Sequence, residues 1–196
     1  MRATQKFSDM RVSPPFKLIA FDVDGVFTNG DAQYSRDGKI TAKTFNDKDL
    51  MALRKFQAAG IHVCIITGSD DVNLSIFQRR GVEYYHSKFA KRECLDIVRN
   101  RLGLEWSDVA AVGDDVLDIP MLREVGRAYC PNDAVLQVAS LPNVKILPWR
   151  GGDQLVSKFF DGYFGSVDTT ALAALYAKEI ENRNLLLRYE QAPPYN

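Results

Sequence analysis

The sequence predicts an α/β domain: a doubly wound parallel sheet with a projecting β-hairpin. Three observations carry this. Short apolar runs recur down the chain, amphipathic segments of about ten residues separate them, and a glycine closes most of those segments. Parallel strands joined by helical crossovers produce that alternation, with helices on both faces of the sheet.

The elements follow in order. Residues 1–15 read as a flexible leader ending in Ser13-Pro14-Pro15, which resists both helix and central strand. Phe16 to Phe21 is a short, largely apolar run that stops at Asp22, as a buried strand does. Tyr34 to Phe45 surrounds the turn signal Ser35-Arg36-Asp37-Gly38 and reads as the hairpin. Asp47 to Ala59 carries Leu50, Leu53 and Phe56 at helical spacing, with Gly60 as its stop. Ile61 to Ile66 is a second buried strand, running into Thr67-Gly68. Asp71–Arg80 and Phe89–Leu102 read as helices closed by Gly81 and Gly103, with Val82–His86 a strand between them. Val109–Val112 is a strand ending at Gly113-Asp114-Asp115, and Ile119–Val125 is a helix closed by Gly126. Ala128–Cys130 and Val144–Leu147 read as strands flanking a helical turn at Ala134–Ala139. Residues 166–196 form a tail in which Asp168 is placed to cap a helix from Thr169 to Tyr189.

Composition narrows the function. Lysine plus arginine and aspartate plus glutamate both number 25, so no net field favours nucleic acid or an anionic membrane. No apolar run has the length of a membrane helix, and the N-terminus lacks a signal-peptide core, which places the protein in the cytoplasm. Cys64, Cys94 and Cys130 form no CxxC pair and read as buried free thiols.

Three strands end in polar groups: Asp22, Thr67 and Asp114. In such sheets ligands bind beyond the carboxyl ends of the strands, so the three signals converge on one site. In Asp22-Val23-Asp24-Gly25, two carboxylates two apart on extended backbone point to one side and repel unless a cation intervenes. Oxygen ligands of this kind suit Mg²⁺. A solvated Asp-x-Asp-Gly turn is the plainer reading. A calcium loop is excluded, because Val26 stands where its fifth-position ligand belongs.

Asp22-Val23-Asp24-Gly25-Val26-Phe27-Thr28 resembles the first motif of the haloacid dehalogenase superfamily of phosphatases. Ile65-Ile66-Thr67-Gly68 resembles the second, Lys91 falls where the third motif's lysine belongs, and Gly113-Asp114-Asp115-Val116-Leu117-Asp118 resembles the fourth. The match spans residues 16–165 in the correct order and implies a Rossmann-like fold. It implies Asp22 as covalent nucleophile, Asp24 as acid and base, Thr67 and Lys91 as phosphoryl contacts, and Mg²⁺ on Asp22, Asp24 (through its main-chain carbonyl) and Asp114. Asp115 and Asp118 would stand behind the metal or Lys91. Lys88 is the rival for the lysine role.

Too little chain separates Asp22 from Thr67, or Thr67 from Lys91, to hold a cap domain. The capless pattern, with Thr28-Asn29-Gly30 and Asn46-Asp47-Lys48-Asp49, resembles the 3-deoxy-D-manno-octulosonate 8-phosphate phosphatases and related nonulosonate phosphatases. That subgroup implies a homotetramer acting on a phosphorylated sugar, with Thr28, Gly68, Asn46 and Lys48 as candidate substrate contacts. Two departures stand out. Ser69 replaces the subgroup's arginine, and Gly151-Gly152-Asp153-Gln154 lacks the arginine–glutamate pair that usually follows its glycines. Arg79, Arg80 and Arg150 are the candidate replacement cations. His62 and His86 read as structural, and Trp106 and Trp149 as packing residues. The rival classes are a non-catalytic oligomerising module and a phosphoryl-acceptor regulator; a dinucleotide enzyme is disfavoured, since no GxGxxG follows a strand.

Overall fold

A computed structural model describes residues 15–69, 74–165, 168 and 170–178. Six strands make one sheet: β1 (Leu18–Phe21), β4 (His62–Thr67), β5 (Glu83–His86), β6 (Val109–Val112), β7 (Arg127–Cys130) and β8 (Val144–Ile146). Their order is β5-β4-β1-β6-β7-β8, and every pairing is parallel. The chain therefore builds outward from β1 to one edge, then returns beside β1 and builds to the other. The strand order reverses at β1, and the crevice of a doubly wound sheet opens at that reversal.

Strand alternation sorts the core. Ile19 and Phe21 face one side of the sheet with Val63, Ile65 and Val112; Leu18 and Ala20 face the other with Cys64, Ile66 and Val109. On the first side lie α1 (Asp47–Ala58) and α6 (Leu155–Phe164). On the second lie α3 (Lys91–Arg101), α4 (Ile119–Glu124) and α5 (Leu136–Ala139). A short α2 (Leu74–Gln78) precedes β5. Both faces being covered explains why β1 and β6 are apolar throughout rather than alternating.

The hairpin forms a separate two-stranded antiparallel sheet, β2 (Gln33–Tyr34) and β3 (Ile40–Ala42), shorter than the sequence suggests. Its turn is the predicted one: Ser35 N donates to Lys39 O at 2.8 Å, and Gly38 takes φ 76°. Asn46 begins α1, its side-chain oxygen accepting from Lys48 N at 3.0 Å, with Asp47 and Asp49 in the first turn.

Helix α6 has no counterpart in the sequence reading. Its apolar face enters an aromatic cluster on α1: Phe56 lies 6.0 Å from Phe159, 5.0 Å from Phe160 and 5.7 Å from Phe164, ring to ring. Within the described part of the tail, residues 170–178 are helical, and Asp168 Oδ1 accepts from Thr170 N at 2.8 Å, as a cap. This helix reaches α1 through Tyr176, whose hydroxyl meets Met51 Sδ at 2.8 Å and whose ring carries the Arg54 guanidinium at 5.0 Å. The leader, up to residue 14, and the tail beyond 178 lie outside the described residues, as do residues 71–73 at the start of the predicted second helix.

Candidate active site

The carboxyl ends of β1, β4 and β6 converge on an open cavity of about 350 Å³. Asp22, Asp24 and Gly25 line it from β1, Thr67, Gly68 and Ser69 from β4, Asp114 and Asp115 from β6, and Lys88 and Lys91 from the segment entering α3. Three strand ends that looked suggestive in the sequence thus share one wall.

Charge is concentrated there. Lys91 Nζ lies 3.0 Å from Asp22 Oδ2 and 2.6 Å from Asp118 Oδ1, with all three side chains buried. Asp118 Oδ2 accepts from the main-chain N–H groups of Asp114 (3.0 Å) and Asp115 (3.1 Å). Asp118 is thereby saturated, and it ties Lys91 to the turn that carries Asp114. Asp22 Oδ1 and Asp114 Oδ1 are different: both are buried and neither has a hydrogen-bond partner among the described residues. Burial, and next the charge of Asp118, holds the Asp22 carboxyl well above its usual range against the pull of Lys91. Burial, then the charges of Asp22, Asp118 and Asp115, pushes Asp114 up to about 8. For Lys91 burial works downward, yet the two carboxylates outweigh it and raise it.

One ammonium thus faces three carboxylates whose oxygens come within 4.8 Å of one another. Two orphaned, buried carboxylate oxygens beside such an excess of negative charge fit a hard divalent cation. Asp22 Oδ1 and Asp114 Oδ1 are the oxygens left to hold it.

Glycines keep this wall thin. A Cβ on Gly25, which sits at φ 72°, would fall 1.9 Å from Asp114 Oδ2, and one on Gly113 would fall 2.4 Å from Asp118 Cγ. A Cβ on Gly151 would fall 1.9 Å from Gly25 O, and Gly152 N donates to Val26 O at 3.0 Å. The glycine pair far along the chain therefore braces the loop that follows Asp22.

Asp24 belongs to a second cluster. Lys43 Nζ donates to both its oxygens at 2.7 Å and to Ser69 Oγ at 2.8 Å. The Ser69 hydroxyl donates to Asp24 Oδ2, and the Thr28 hydroxyl to Oδ1 at 3.3 Å. Ser69 N also donates to Thr67 Oγ1 at 3.2 Å, which leaves the Thr67 hydroxyl proton for another acceptor.

Among the sequence candidates, Asp22, Asp24, Thr67, Gly68, Lys91, Asp114 and Asp115 line the cavity. Lys91 stands against Asp22, whereas Lys88 lies at the wall with its ammonium 5.6 Å from the Phe89 ring. Asp115 caps the turn Val116–Asp118 with its carboxylate, accepting from Val116 N at 2.6 Å. Three of the expected substrate contacts stand away from the cavity wall within this chain. Thr28 is fully buried and bonded to Asp24, Asn46 caps α1, and Lys48 is exposed on that helix; none of the three lines the cavity. Nor do Arg79, Arg80 or Arg150; Arg150 pairs with Asp133 at 3.2 Å. His62 lies 3.1 Å from Glu83 and starts β4, at the strand end away from the site. Trp106 carries the Arg99 guanidinium at 4.6 Å, and Trp149 packs on the aromatic core. Sequence reasoning missed Lys43. Its one signal is its place, directly after the hairpin's second strand.

Comparison with known proteins agrees with this geometry. Residues 41–126 match the model of haloacid dehalogenase-like hydrolases. The 3-deoxy-D-manno-octulosonate 8-phosphate phosphatase KdsC of Haemophilus influenzae is 28% identical over 142 residues, 69% of this chain and 76% of that protein. The crystal structure of a 3-deoxy-D-manno-octulosonate 8-phosphate phosphatase from Moraxella catarrhalis, in complex with magnesium, phosphate and KDO, is 26% identical. It superposes with a TM-score of 0.71 over 85% of this chain and 94% of that one. The cobalt-bound phosphatase from Haemophilus influenzae gives 0.68 at 25% identity, over 77% of this chain and 88% of that one. Sheet order and strand-end chemistry agree with the match of residues 41–126 to haloacid dehalogenase-like hydrolases, the proteins this chain is similar to.

Proposed function

We propose that the chain is a Mg²⁺-dependent phosphomonoester hydrolase working through an aspartyl-phosphate on Asp22. The observation that carries this is the pair of orphaned, buried oxygens, Asp22 Oδ1 and Asp114 Oδ1, beside a Lys91 already bonded to Asp22 Oδ2. A carboxylate poised next to a cation site and an ammonium suits attack on a phosphoryl group, whose own negative charge must be met on arrival.

Each side chain has a part. Asp22 forms a bond to phosphorus as the ester P–O bond breaks, and the departing oxygen takes a proton from Asp24. Water then gives a proton to Asp24 as its oxygen bonds phosphorus and the Asp22–P bond breaks. Lys91 and the Thr67 hydroxyl hold the equatorial oxygens, and Asp118 keeps Lys91 aimed. Asp22, Asp114 and the Asp24 main-chain carbonyl would hold Mg²⁺, which would supply positive charge to the transferring phosphoryl group. The relatives support a phosphorylated sugar acid such as 3-deoxy-D-manno-octulosonate 8-phosphate as the substrate class, and the proposed assembly is a homotetramer whose neighbours cover the open cavity.

The test is phosphate release from a panel of sugar phosphates with and without Mg²⁺, beside Asp22→Asn. The expected result is Mg²⁺-dependent release by wild type and a loss of about 10³-fold or more in Asp22→Asn. Turnover of no substrate, with Asp22→Asn indistinguishable from wild type, would leave a non-catalytic module as the better reading.

A further inference from the structure

We propose that Lys43 is the positioning residue of the acid–base carboxylate, and that through it the hairpin sets where Asp24 stands. This rests on the phosphatase reading above and concerns a residue that reading does not use.

The geometry is restrictive. The Lys43 side chain is 3% exposed, an uncommon place for a lysine, and its partners are all at the cavity wall. An ammonium has three protons. Lys43 directs them to Asp24 Oδ1, Asp24 Oδ2 and Ser69 Oγ, so none remains for a bound substrate. It therefore acts through Asp24 rather than on the substrate. Ser69 closes the ring by donating to Asp24 Oδ2, and Thr28 donates to Oδ1 from beneath. The three members come from different places: Asp24 follows β1, Ser69 follows β4, and Lys43 follows β3 of the hairpin. Charge-assisted bonds to both oxygens fix the plane of a carboxylate as well as its position.

Asp24 must serve twice from nearly one place. It gives its proton to the departing oxygen, then takes one from the attacking water. A displacement of about 1 Å in such a group costs about 10²-fold in rate. The ring of Lys43 and Ser69 supplies the constraint, and any change in the hairpin reaches the chemistry through Lys43.

The experiment uses the full chain with Lys43→Met, Lys43→Arg and Ser69→Ala. Two substrates are compared: a sugar phosphate that wild type turns over, and p-nitrophenyl phosphate, whose leaving group departs without needing a proton. For Lys43→Met the expected result is a fall of about 10²-fold in kcat on the sugar phosphate, with KM within about threefold. On p-nitrophenyl phosphate the first turnover survives as a burst of nitrophenolate matching the enzyme concentration, followed by slow steady turnover, because the water step still needs Asp24. Lys43→Arg recovers part of kcat. Ser69→Ala shows the same split at smaller amplitude and reports on the ring even where Lys43→Met fails to fold. A rise in KM at unchanged kcat would make Lys43 a substrate-binding cation and overturn the proposal. Equal losses on both substrates, with no burst, would reduce it to a structural residue. If Asp22→Asn is dead while Lys43→Met and Ser69→Ala match wild type, the proposal fails and the phosphatase reading stands; an active Asp22→Asn sinks both.

Discussion

Asp118 shows how much one side chain can organise. It touches neither the cavity's solvent nor a surface, yet one oxygen holds Lys91 at 2.6 Å and the other holds the Asp114 and Asp115 N–H groups. Gly113 leaves the space it occupies. Removing a partner from a buried ion pair leaves an uncompensated charge, which costs more than the pair itself contributes. Asp118→Ala is therefore expected to lower stability by about 3–5 kcal/mol in urea denaturation, and to lose activity because Lys91 and Asp114 drift. Asp118→Asn keeps one acceptor for the main-chain donors and should cost less. Equal stability of Asp118→Ala and wild type would show that Lys91 finds another partner.

At the scale of elements, the junction of α1 and α6 carries a clear pH signature. Asp49, fully buried in the first turn of α1, accepts from Ser157 N at 2.8 Å in the first turn of α6. It thus caps a helix distant in sequence, while its other oxygen is buried without a hydrogen-bond partner among the described residues. Burial raises Asp49 to about 6 although the bonds from Ser157 and Val156 pull the other way. The folded state then holds a proton that the unfolded chain has released. Stability from this group is present below about pH 4 and is lost as pH rises through about 6, by up to roughly 3 kcal/mol. Urea midpoints of wild type and Asp49→Asn between pH 4 and 7 check this. The difference between them should shift toward the variant as pH rises, and parallel curves would sink the idea.

Across the whole molecule, the two faces of the sheet are packed by different means. The face under α3, α4 and α5 is lined mainly by small and aliphatic residues, whereas Phe21, Phe56, Phe159, Phe160 and Phe164 interlock under α1 and α6. Phe56 is the hub, with four ring neighbours within 6.0 Å. Phe56→Ala is expected to cost about 3–5 kcal/mol, and Phe56→Leu clearly less. Thermal unfolding of both variants measures it. A loss under about 1 kcal/mol for Phe56→Ala would mean that the cluster collapses to fill the gap.

What the sequence by itself determined is the part written in local pattern. Apolar runs, helical spacing and glycine stops specify the alternation, and β6 matches its predicted bounds at Val109–Val112. Asp22, Thr67 and Asp114 were legible as one wall because parallel strands must present their carboxyl ends together. Tertiary structure decided the rest. Helix α6 is entered through Gln154 in the left-handed region (φ 56°), whose side chain makes no cap, and Asp49 provides one from α1. Lys91 prevails over Lys88 at Asp22 because the buried Asp118 pulls it in. Lys43 reaches Asp24 only because the hairpin delivers it there, while Thr28 and Asn46 are taken up by local bonds. Such partners lie far apart along the chain, and no local propensity encodes a charge pairing made only when the sheet has closed.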